Sequence, residues 1–345
     1  MAMLYQIHMK LFPIPLPPAD TFAGQRAVVT GGTGGLGLAA AAHLINLGAA
    51  EVLITGRTAT RAQRALDELE AMTGGRSKGK ARALELDMES YQSIVDFAGQ
   101  VRESGGVDVV ILNAGMIGLE PKITAEGWEQ NIQVNTISTL LLATLLLAHF
   151  KAQRPSRSSP AHLAIVGSMR FHEPDVAEWA TWQEREGGIL AHLSRPENWP
   201  GGSQMYAATK LLLQYGFREL AELARGPDGR LDVIMNTMCP GIVKTDLARG
   251  YIEKGMALKL AVKLFTGLFS KSPENGARTY MAAVTTREDE HGKMVQFYRS
   301  EAQASAQEAN VLASEAGQKM QAQVWREIRE ELIKKVPETK DFLKA

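Results

Sequence analysis

Short apolar runs, rich in β-branched residues, alternate along the chain with longer stretches whose apolar positions recur every three or four residues. The short runs have the length of buried strands, and the longer stretches have the period of amphipathic helices. Strands are predicted at 26–30, 51–55, 81–86, 107–112, 161–166, 231–237 and 293–297. Helices are predicted at 35–47, 60–72, 91–103, 127–152 and 204–224. This alternation is typical of βαβ units, and therefore of a parallel sheet covered by helices on both faces.

One long excursion, residues 170–202, interrupts the alternation between a predicted strand and a predicted helix. It contains Trp179, Trp182 and Trp199. Excursions from an α/β scaffold commonly build the substrate site, because ligands bind beyond the carboxyl ends of the strands. The three tryptophans could therefore line a substrate pocket, or they could only pin the excursion to the domain.

The unbroken alternation predicts a single domain at 22–300. Residues 1–21, interrupted by prolines, are predicted to form an extended N-terminal arm, and 301–345 a C-terminal helical extension. The amphipathic segment 249–272 follows the sixth strand, and we expect it to be a lid over the substrate. The alternative is peripheral attachment to a membrane through 258–269, where lysines border an apolar face.

Composition narrows the class of protein. The chain is 45% hydrophobic and 22% charged, as in ordinary globular proteins, and 38 basic residues balance 38 acidic ones. This balance does not favour nucleic acid as a partner. The single cysteine, Cys239, cannot form an intramolecular disulfide, which fits a reducing compartment. The richest apolar run, 140–148, is about half the roughly 20 residues that span a bilayer. We expect a cytoplasmic protein without a transmembrane segment.

The first predicted strand leads into a glycine-rich turn, TGGTGGLG at 30–37, which opens the first predicted helix. Glycines there allow a sharp turn, and the helix N-terminus offers free N–H groups to phosphates. The turn fits both G-x-G-x-x-G (Gly32, Gly34, Gly37) and T-G-x-x-x-G-x-G (Gly31, Gly35, Gly37). It predicts a dinucleotide site. The expected contacts are Thr30, Gly31, Thr33, Gly35, Leu36 and Gly37.

The end of the second strand indicates which dinucleotide is bound. An NAD site has an acidic residue there for the ribose 2′-hydroxyl, but this chain has Thr55-Gly56-Arg57. The fixed charge and planar fork of Arg57 suit a 2′-phosphate, so NADP(H) is the predicted cofactor. The alternative is that Arg57 is only part of a solvated helix start. Asp87, which closes the third strand, is the expected contact on the adenine side.

Candidate acid/base chemistry lies in the helix predicted at 204–224. Tyr206 and Lys210 are four positions apart, so they share one face of that helix. A tyrosine is a poor base at neutral pH, but a neighbouring ammonium together with an oxidised nicotinamide should favour the phenolate and lower its pKa. Ser168, at the end of the fifth strand, could hydrogen-bond a substrate oxygen. Nearby histidines and acids lack metal-ligand spacing, so no metal is expected.

Taken in order, these motifs resemble the short-chain dehydrogenase/reductase family over about 22–300. The motifs are the glycine turn, Asn113-Ala114-Gly115, Asn135, Ser168, Tyr206 with Lys210, and Pro240-Gly241. The resemblance implies a single doubly wound Rossmann domain with a seven-stranded sheet. It implies that Tyr206 is the acid/base, that Lys210 holds the ribose, that Ser168 polarises the substrate and that Asn135 holds a proton-relay water. It implies further cofactor contacts at Asn113, Ala114, Gly115, Pro240, Gly241, Val243 and Thr245.

The chain departs from that family in one spacing. Ser168 and Tyr206 are 38 positions apart, whereas the family commonly has a dozen or so, and its retinol-dehydrogenase-like branch about two dozen. The long spacing, the sequence SKSPENGAR at 270–278 and the extra C-terminal helix resemble reductases of fungal secondary-metabolite pathways. That resemblance suggests a bulky apolar or polycyclic substrate.

The expected function is therefore NADP(H)-dependent interconversion of a ketone and a secondary alcohol, with reduction favoured. A redox-neutral epimerase or dehydratase on the same scaffold is one alternative, and a non-catalytic NADP-binding protein is another. The helices at 127–152 and 204–224 could form a homodimer or homotetramer interface in this family. Their apolar faces are equally explained by the core.

Overall fold

A computed structural model describes residues 2–182, 187–244, 267, 269–297 and 309–344 and places seven parallel strands in one sheet. The strands are β1 (Arg26–Val29), β2 (Glu51–Gly56), β3 (Ala81–Glu85), β4 (Val109–Leu112), β5 (Ala161–Val166), β6 (Val233–Met238) and β7 (Met294–Val295). Their order is β3-β2-β1-β4-β5-β6-β7. The chain changes its direction of winding between β3 and β4, which opens a crevice at the carboxyl ends of β1 and β4. The predicted doubly wound, seven-stranded fold is confirmed.

Helices cover both faces of the sheet. They are α1 (Ala2–Leu11), α2 (Gly35–Asn46), α3 (Ala59–Met72), α4 (Tyr91–Glu103), α5 (Gln130–Ile132), α6 (Thr139–Gln153), α7 (Val176–Ala180), α8 (Ile189–Ser194), α9 (Gly202–Leu223), α10 (Pro273–Ala283), α11 (Glu315–Lys335) and α12 (Lys340–Lys344). Alternate strand residues enter opposite cores: Val28 packs with α4, α6 and α9, and Val29 packs with α2 and α10. Burial on both faces explains why these strands read as continuous apolar runs.

The N-terminal segment differs from the predicted extended arm. Residues 2–11 form the helix α1, because the prolines that suggested extended backbone begin only at Pro13. The helix is tied to the start of α10, where the Asn275 Nδ2 donates to the carbonyl oxygen of Met9 at 3.0 Å. Met9 itself is buried in the core. The segment is therefore an integral part of the domain surface near β6.

The excursion before α9 folds into short helical pieces rather than an open loop. Two 3₁₀ turns, Met169–His172 and Pro196–Asn198, flank α7 and α8. The C-terminal helix α11 holds this region, because the Glu327 carboxylate accepts the N–H groups of Ile189 (3.0 Å) and Leu190 (2.9 Å) at the start of α8. Of the predicted lid at 249–272, residues 249–266 and 268 lie outside the described residues.

Residues 130–156 form one continuous helical run that is long and apolar enough to span a membrane, and 89% of its apolar window is buried inside the protein. This is the burial of a core helix. The outer face of α9 is also covered within the chain, since the Tyr215 hydroxyl donates to the carbonyl oxygen of Val311 at 2.8 Å in the C-terminal extension. Packing within the chain thus accounts for the apolar faces of both helices.

Replacing Glu327 with alanine should lower the free energy of unfolding by about 1–2 kcal/mol, because two N–H groups of α8 lose their acceptor. Urea unfolding would measure the change. The matched control is Glu330→Ala, since Glu330 is an exposed carboxylate of the same helix. Equal stability of the two variants would show that the cap does not hold the excursion.

Candidate active site

A groove runs along the carboxyl edge of the sheet, over the turn between β1 and α2. It has two parts, with volumes of about 700 Å³ and 320 Å³, which share lining residues such as Gly31, Thr33 and Gly115. The larger part reaches Tyr206 and Lys210, and the smaller part lies beyond the ends of β2 and β3. The groove therefore joins the predicted phosphate turn to the predicted acid/base pair.

The glycine turn has the conformation that only glycine adopts easily. Gly31 and Gly35 have φ values of +62° and +53°, in the left-handed region. At Gly37 a side chain would place its Cβ 2.4 Å from the carbonyl oxygen of Gly31, so the helix could not approach the turn. Of the two patterns that fit the sequence, the conformation favours Gly31, Gly35 and Gly37. Gly31, Thr33, Gly35 and Leu36 line the groove.

Asn113 fastens the glycine turn to the end of β4. Its Nδ2 donates to the carbonyl oxygens of Thr30 (2.9 Å) and Gly31 (3.2 Å), and its Oδ1 accepts from the Tyr280 hydroxyl at 2.8 Å. The Thr30 hydroxyl in turn accepts the N–H groups of Asn113 and Ala114 at 2.9 and 3.0 Å. Thr30 is fully buried, so it supports the turn from below, whereas Asn113, Ala114 and Gly115 line the groove.

The smaller part of the groove contains the residues predicted for the adenine end. Arg57 and Asp87 both line it. The Asp87 carboxylate accepts the N–H of Glu89 at 3.0 Å, which fixes its direction. Arg57 is 60% exposed, and its guanidinium lies 3.7 Å from the Glu89 carboxylate. A positive side chain thus stands where the second strand ends.

Tyr206 and Lys210 line the other end of the groove, and Ser168 lies next to the Tyr206 phenol. Ser168 follows β5 and shares a hydrogen bond with the Tyr206 phenol. The Lys210 ammonium donates to the carbonyl oxygen of Val166 at 2.7 Å and lies 5.6 Å from the centre of the Tyr206 ring. The 38-position spacing is absorbed by the excursion, and the three side chains still meet.

The pKa values of this group follow from burial. Burial raises the pKa of Tyr206 to about 12, and the Cys239 thiol adds to the rise, while the hydrogen bond from Ser168 opposes it. Burial also lowers the pKa of Lys210, to about 8. Among the protein's own groups desolvation outweighs the neighbouring side chains; the predicted lowering depends also on an oxidised nicotinamide and stays a prediction. A protonated phenol is the form that can donate a proton.

Asn135 lies in a π-helical turn, Gln133–Ser138, between α5 and α6. Such turns often occur at functional sites. Its side-chain amide exchanges hydrogen bonds with the backbone of Met116, at 2.9 Å in each direction, and donates to the Thr209 hydroxyl of α9 at 3.2 Å. Asn135 thus links the groove wall to the helix that carries Tyr206. The water relay implied by the resemblance stays a prediction.

The loop after β6 contains the predicted contacts Pro240, Gly241 and Val243, and none of these three lines the described part of the groove. Gly241 has a φ of +75°, and Val243 pairs with Lys271 in a parallel bridge. The N–H of Ile242 donates to the Gln6 side chain of α1 at 3.2 Å. The loop is therefore held from two sides. Pro240 is buried in it, whereas Thr245 lies outside the described residues.

The tryptophans of the excursion occupy another place. Trp179 and Trp182 line a separate cavity of about 380 Å³ against Ala207 and Ala208 of α9. Trp182 stacks on His192 with ring centres 3.8 Å apart. Trp199 packs at the edge of the core. The described lining of that cavity includes neither Ser168 nor Tyr206, and the role of the tryptophans in substrate binding stays a prediction.

Sequence reasoning missed Tyr280, Glu89 and Gly276. Tyr280 lines the groove and holds Asn113. A Cβ on Gly276 would lie 2.7 Å from both Leu36 and Val243, so this glycine lets α10 pack on the glycine turn. All three act through partners far away in sequence, and no local pattern marks such contacts. Within the described residues, no group of three or more His, Cys, Asp or Glu side chains is arranged to hold a metal.

Comparison with known proteins gives consistent results. Residues 25–174 match the family model for short chain dehydrogenases. The chain is similar to a short-chain dehydrogenase/reductase of Aspergillus flavipes, ffsI, at 33% identity over 330 residues, covering 95% of this chain and 92% of that protein. A short-chain dehydrogenase/reductase of Phaeosphaeria nodorum, phmF, is 32% identical over 319 residues, covering 92% and 89%.

Solved structures share the fold at lower identity. A short-chain type dehydrogenase/reductase from Mycobacterium marinum has a TM-score of 0.57 and 20% identity, and the match covers 80% of this chain and 94% of that chain. A protein from Beutenbergia cavernae, whose structure contains NADP at low occupancy, has a TM-score of 0.54 and 22% identity, with coverage of 81% and 96%. These matches concern the fold alone.

Proposed function

The chain belongs to the short-chain dehydrogenase/reductase family, and from that premise we propose that it is an NADP(H)-dependent oxidoreductase that interconverts a ketone and a secondary alcohol. The observation that carries the proposal is the meeting of Ser168, Tyr206 and Lys210 at one end of a groove that begins at a glycine turn. The resemblance inferred from the motifs is confirmed at the level of the family, and the curated relatives named above are fungal.

The residues present fit a dinucleotide phosphate. The turn leaves no room for a Cβ at Gly37, and helix α2 begins at Gly35 with its N-terminus at the groove. Free N–H groups and the positive end of the helix dipole favour a diphosphate there. Arg57 and the nearby Arg61 line the part of the groove that would hold the adenosine. No acidic side chain stands at the end of β2, where an NAD site would have one.

When held by the glycine turn and Arg57, NADPH would supply the hydride that reduces the carbonyl carbon. Tyr206 donates its phenolic proton to the carbonyl oxygen, which becomes the alcohol. Ser168 is placed to hydrogen-bond the same oxygen and to orient it. The Lys210 ammonium, one helical turn away, stabilises the phenolate that remains after the proton has left. Asn135 keeps α9 in register with the groove wall through Thr209.

Reduction is the proposed direction because Arg57, at the end of β2, suits the 2′-phosphate of NADPH. Burial raises the pKa of Tyr206 to about 12, so the phenol carries the proton that reduction of a ketone consumes. A bulky apolar ketone of the secondary-metabolite type is the proposed substrate class, on the resemblance to the fungal reductases. A cytoplasmic location rests on the lone, buried Cys239.

The rate of reduction should fall as the pH rises through about 8. Lys210 is protonated below its pKa of about 8 and neutral above it. A neutral amine no longer stabilises the phenolate, so kcat/KM for the ketone decreases on the alkaline side. The measurement is a pH profile of kcat/KM with NADPH saturating. In Lys210→Arg the charge does not titrate, so the remaining activity should lack this decline. A decline near pH 8 that persists in that variant would contradict the assignment.

Mixing purified protein with NADPH and a panel of ketones tests the function directly. The proposed activity predicts a decrease of NADPH absorbance that depends on both protein and ketone. A redox-neutral epimerase or dehydratase would change the nicotinamide signal only transiently within a turnover. A non-catalytic binding protein would bind NADPH without turnover. Binding alone does not require Ser168, Tyr206 and Lys210 to lie together. NADPH binding without consumption of any ketone or alcohol would therefore count against the proposal.

A further inference from the structure

Glu89 lies in the part of the groove that holds Arg57, and neither the motifs nor the proposed reaction gives it a role. The cavity there has a volume of about 320 Å³, and its lining includes Arg57, Asp87, Glu89 and Gln130. An acidic side chain is unexpected where a negatively charged phosphate is to bind. The presence of the Glu89 carboxylate beside the proposed phosphate site therefore needs an explanation.

The Glu89 carboxylate is fixed in place. Its Oε1 accepts from the Gln130 Nε2 at 2.7 Å, and its Oε2 accepts from the Lys122 ammonium at 3.1 Å. Its side chain is 21% exposed. Burial raises the pKa of Glu89, but the hydrogen bonds from Gln130 and Lys122 and the charge of Arg57 outweigh it, so that the pKa is lowered overall. The Glu89 carboxylate is therefore fixed in position and ionised at neutral pH.

Arg57 is the more loosely held partner of the pair. Its side chain is 60% exposed, and its Nη1 lies 3.7 Å from the Glu89 Oε1, beyond hydrogen-bond distance. An exposed ion pair of this length contributes little to stability. The pair does, however, bias the position of the long and otherwise solvated Arg57 guanidinium toward Glu89. The fixed carboxylate therefore competes with a bound phosphate for the same cation.

We infer that Glu89 sets how strongly the groove prefers a 2′-phosphorylated dinucleotide, by acting as the resident counter-ion of Arg57; this inference rests on the proposed NADP(H) function. A 2′-phosphate must share Arg57 with Glu89. A dinucleotide with a free 2′-hydroxyl carries no charge at that point and has no such competitor. Glu89 is therefore a positioning residue that weakens NADPH binding and moderates the cofactor preference.

The size of the effect follows from the exposure of the pair. Charges several ångströms apart near a protein surface interact weakly, so neutralising Glu89 should strengthen binding of a 2′-phosphate by about fivefold. The same change should leave a ligand without that phosphate unaffected. It should also leave the midpoint of urea unfolding nearly unchanged, because the glutamine amide oxygen can still accept one of the two hydrogen bonds from Gln130 and Lys122, and the pair with the exposed Arg57 adds little.

Titration calorimetry of Glu89→Gln with two probes tests the inference without catalysis. The probes are adenosine 2′,5′-bisphosphate and 5′-AMP, which differ only in the 2′-phosphate. We expect about fivefold tighter binding of the bisphosphate and unchanged binding of 5′-AMP. Glu85→Gln is the matched control, since it removes the same charge from the exposed end of β3 and should change neither. Unchanged or weaker bisphosphate binding in Glu89→Gln would overturn the inference.

A second variant separates an effect through Arg57 from direct repulsion. In an Arg57→Gln background, Glu89→Gln should no longer improve binding of the bisphosphate. If the improvement persists, Glu89 repels the phosphate itself and the counter-ion role is wrong. If the wild-type protein binds both probes equally, and Arg57→Gln changes nothing, the NADP(H) assignment fails together with the inference. Discrimination by the wild type without any effect of Glu89→Gln overturns the inference alone.

Discussion

Replacing Tyr206 with phenylalanine should lower the turnover of a ketone by about a thousandfold, within the usual contribution of a positioned general acid. The variant keeps the aromatic ring against Lys210 but lacks the proton that must reach the carbonyl oxygen. Ser168 would still orient that oxygen, yet water would have to protonate it in a buried place. Single-turnover oxidation of NADPH would measure the loss at the chemical step.

NADPH binding should stay at its wild-type level in the same variant, because the turn at Gly31 and Gly37 and the charge of Arg57 are untouched. Tyr215→Phe is the matched control. Tyr215 is a buried tyrosine of the same helix, and its hydroxyl bonds to the carbonyl oxygen of Val311 outside the groove. This control should lose some stability and keep its turnover. Normal turnover in Tyr206→Phe would refute the role of its phenol.

The sheet could be predicted from the sequence because its strands have recognisable local patterns of apolar residues. Runs such as the one at 107–112 are apolar and β-branched, and they stand between helical periods. The glycine turn and the Tyr206/Lys210 pair are also local signals, since spacing alone puts their members on one turn or one helix face. Because such patterns involve only residues close together in sequence, they can be recognised without knowledge of the tertiary structure.

Other features depend on contacts that the sequence does not display. The π-turn at Gln133–Ser138 lies inside a stretch that has an ordinary helical period. The start of α8 is capped by Glu327, a residue more than a hundred positions away. The prolines from Pro13 onward suggest an extended arm, whereas residues 2–11 form the helix α1, which Asn275 of α10 holds through the carbonyl oxygen of Met9. In each case the deciding partner lies on another element.

Electrostatics at the site was the least predictable part. The spacing of Tyr206 and Lys210 places an ammonium beside the phenol, but among the protein's own groups burial dominates, raising the pKa of Tyr206 to about 12 and lowering that of Lys210 to about 8. Desolvation disfavours the charged form of each group, and its size depends on packing by the whole domain. A spacing rule can place two groups together. It cannot say how much water they lose.

Replacing Arg57 with aspartate should weaken NADPH binding by about a hundredfold and bring NADH to comparable or better affinity. The substitution removes charge-assisted hydrogen bonds to the 2′-phosphate and puts a second acid beside Glu89. It also supplies at the end of β2 the carboxylate that a 2′-hydroxyl prefers. Fluorescence titration with NADPH and with NADH would give both dissociation constants.

The matched control for this reversal of charge is Arg82→Asp. Arg82 is also 60% exposed and also pairs with a carboxylate, Glu51 at 3.4 Å, but it is not among the residues that line the groove. Its replacement changes the net charge equally, so a general effect of charge on an anionic cofactor would show in both variants. A specific role of Arg57 toward the 2′-phosphate requires that only Arg57→Asp lose affinity for NADPH. If NADPH affinity survived in that variant, the 2′-phosphate would have to be held elsewhere, and the order of preference between the two cofactors would follow from other residues than Arg57 and Glu89.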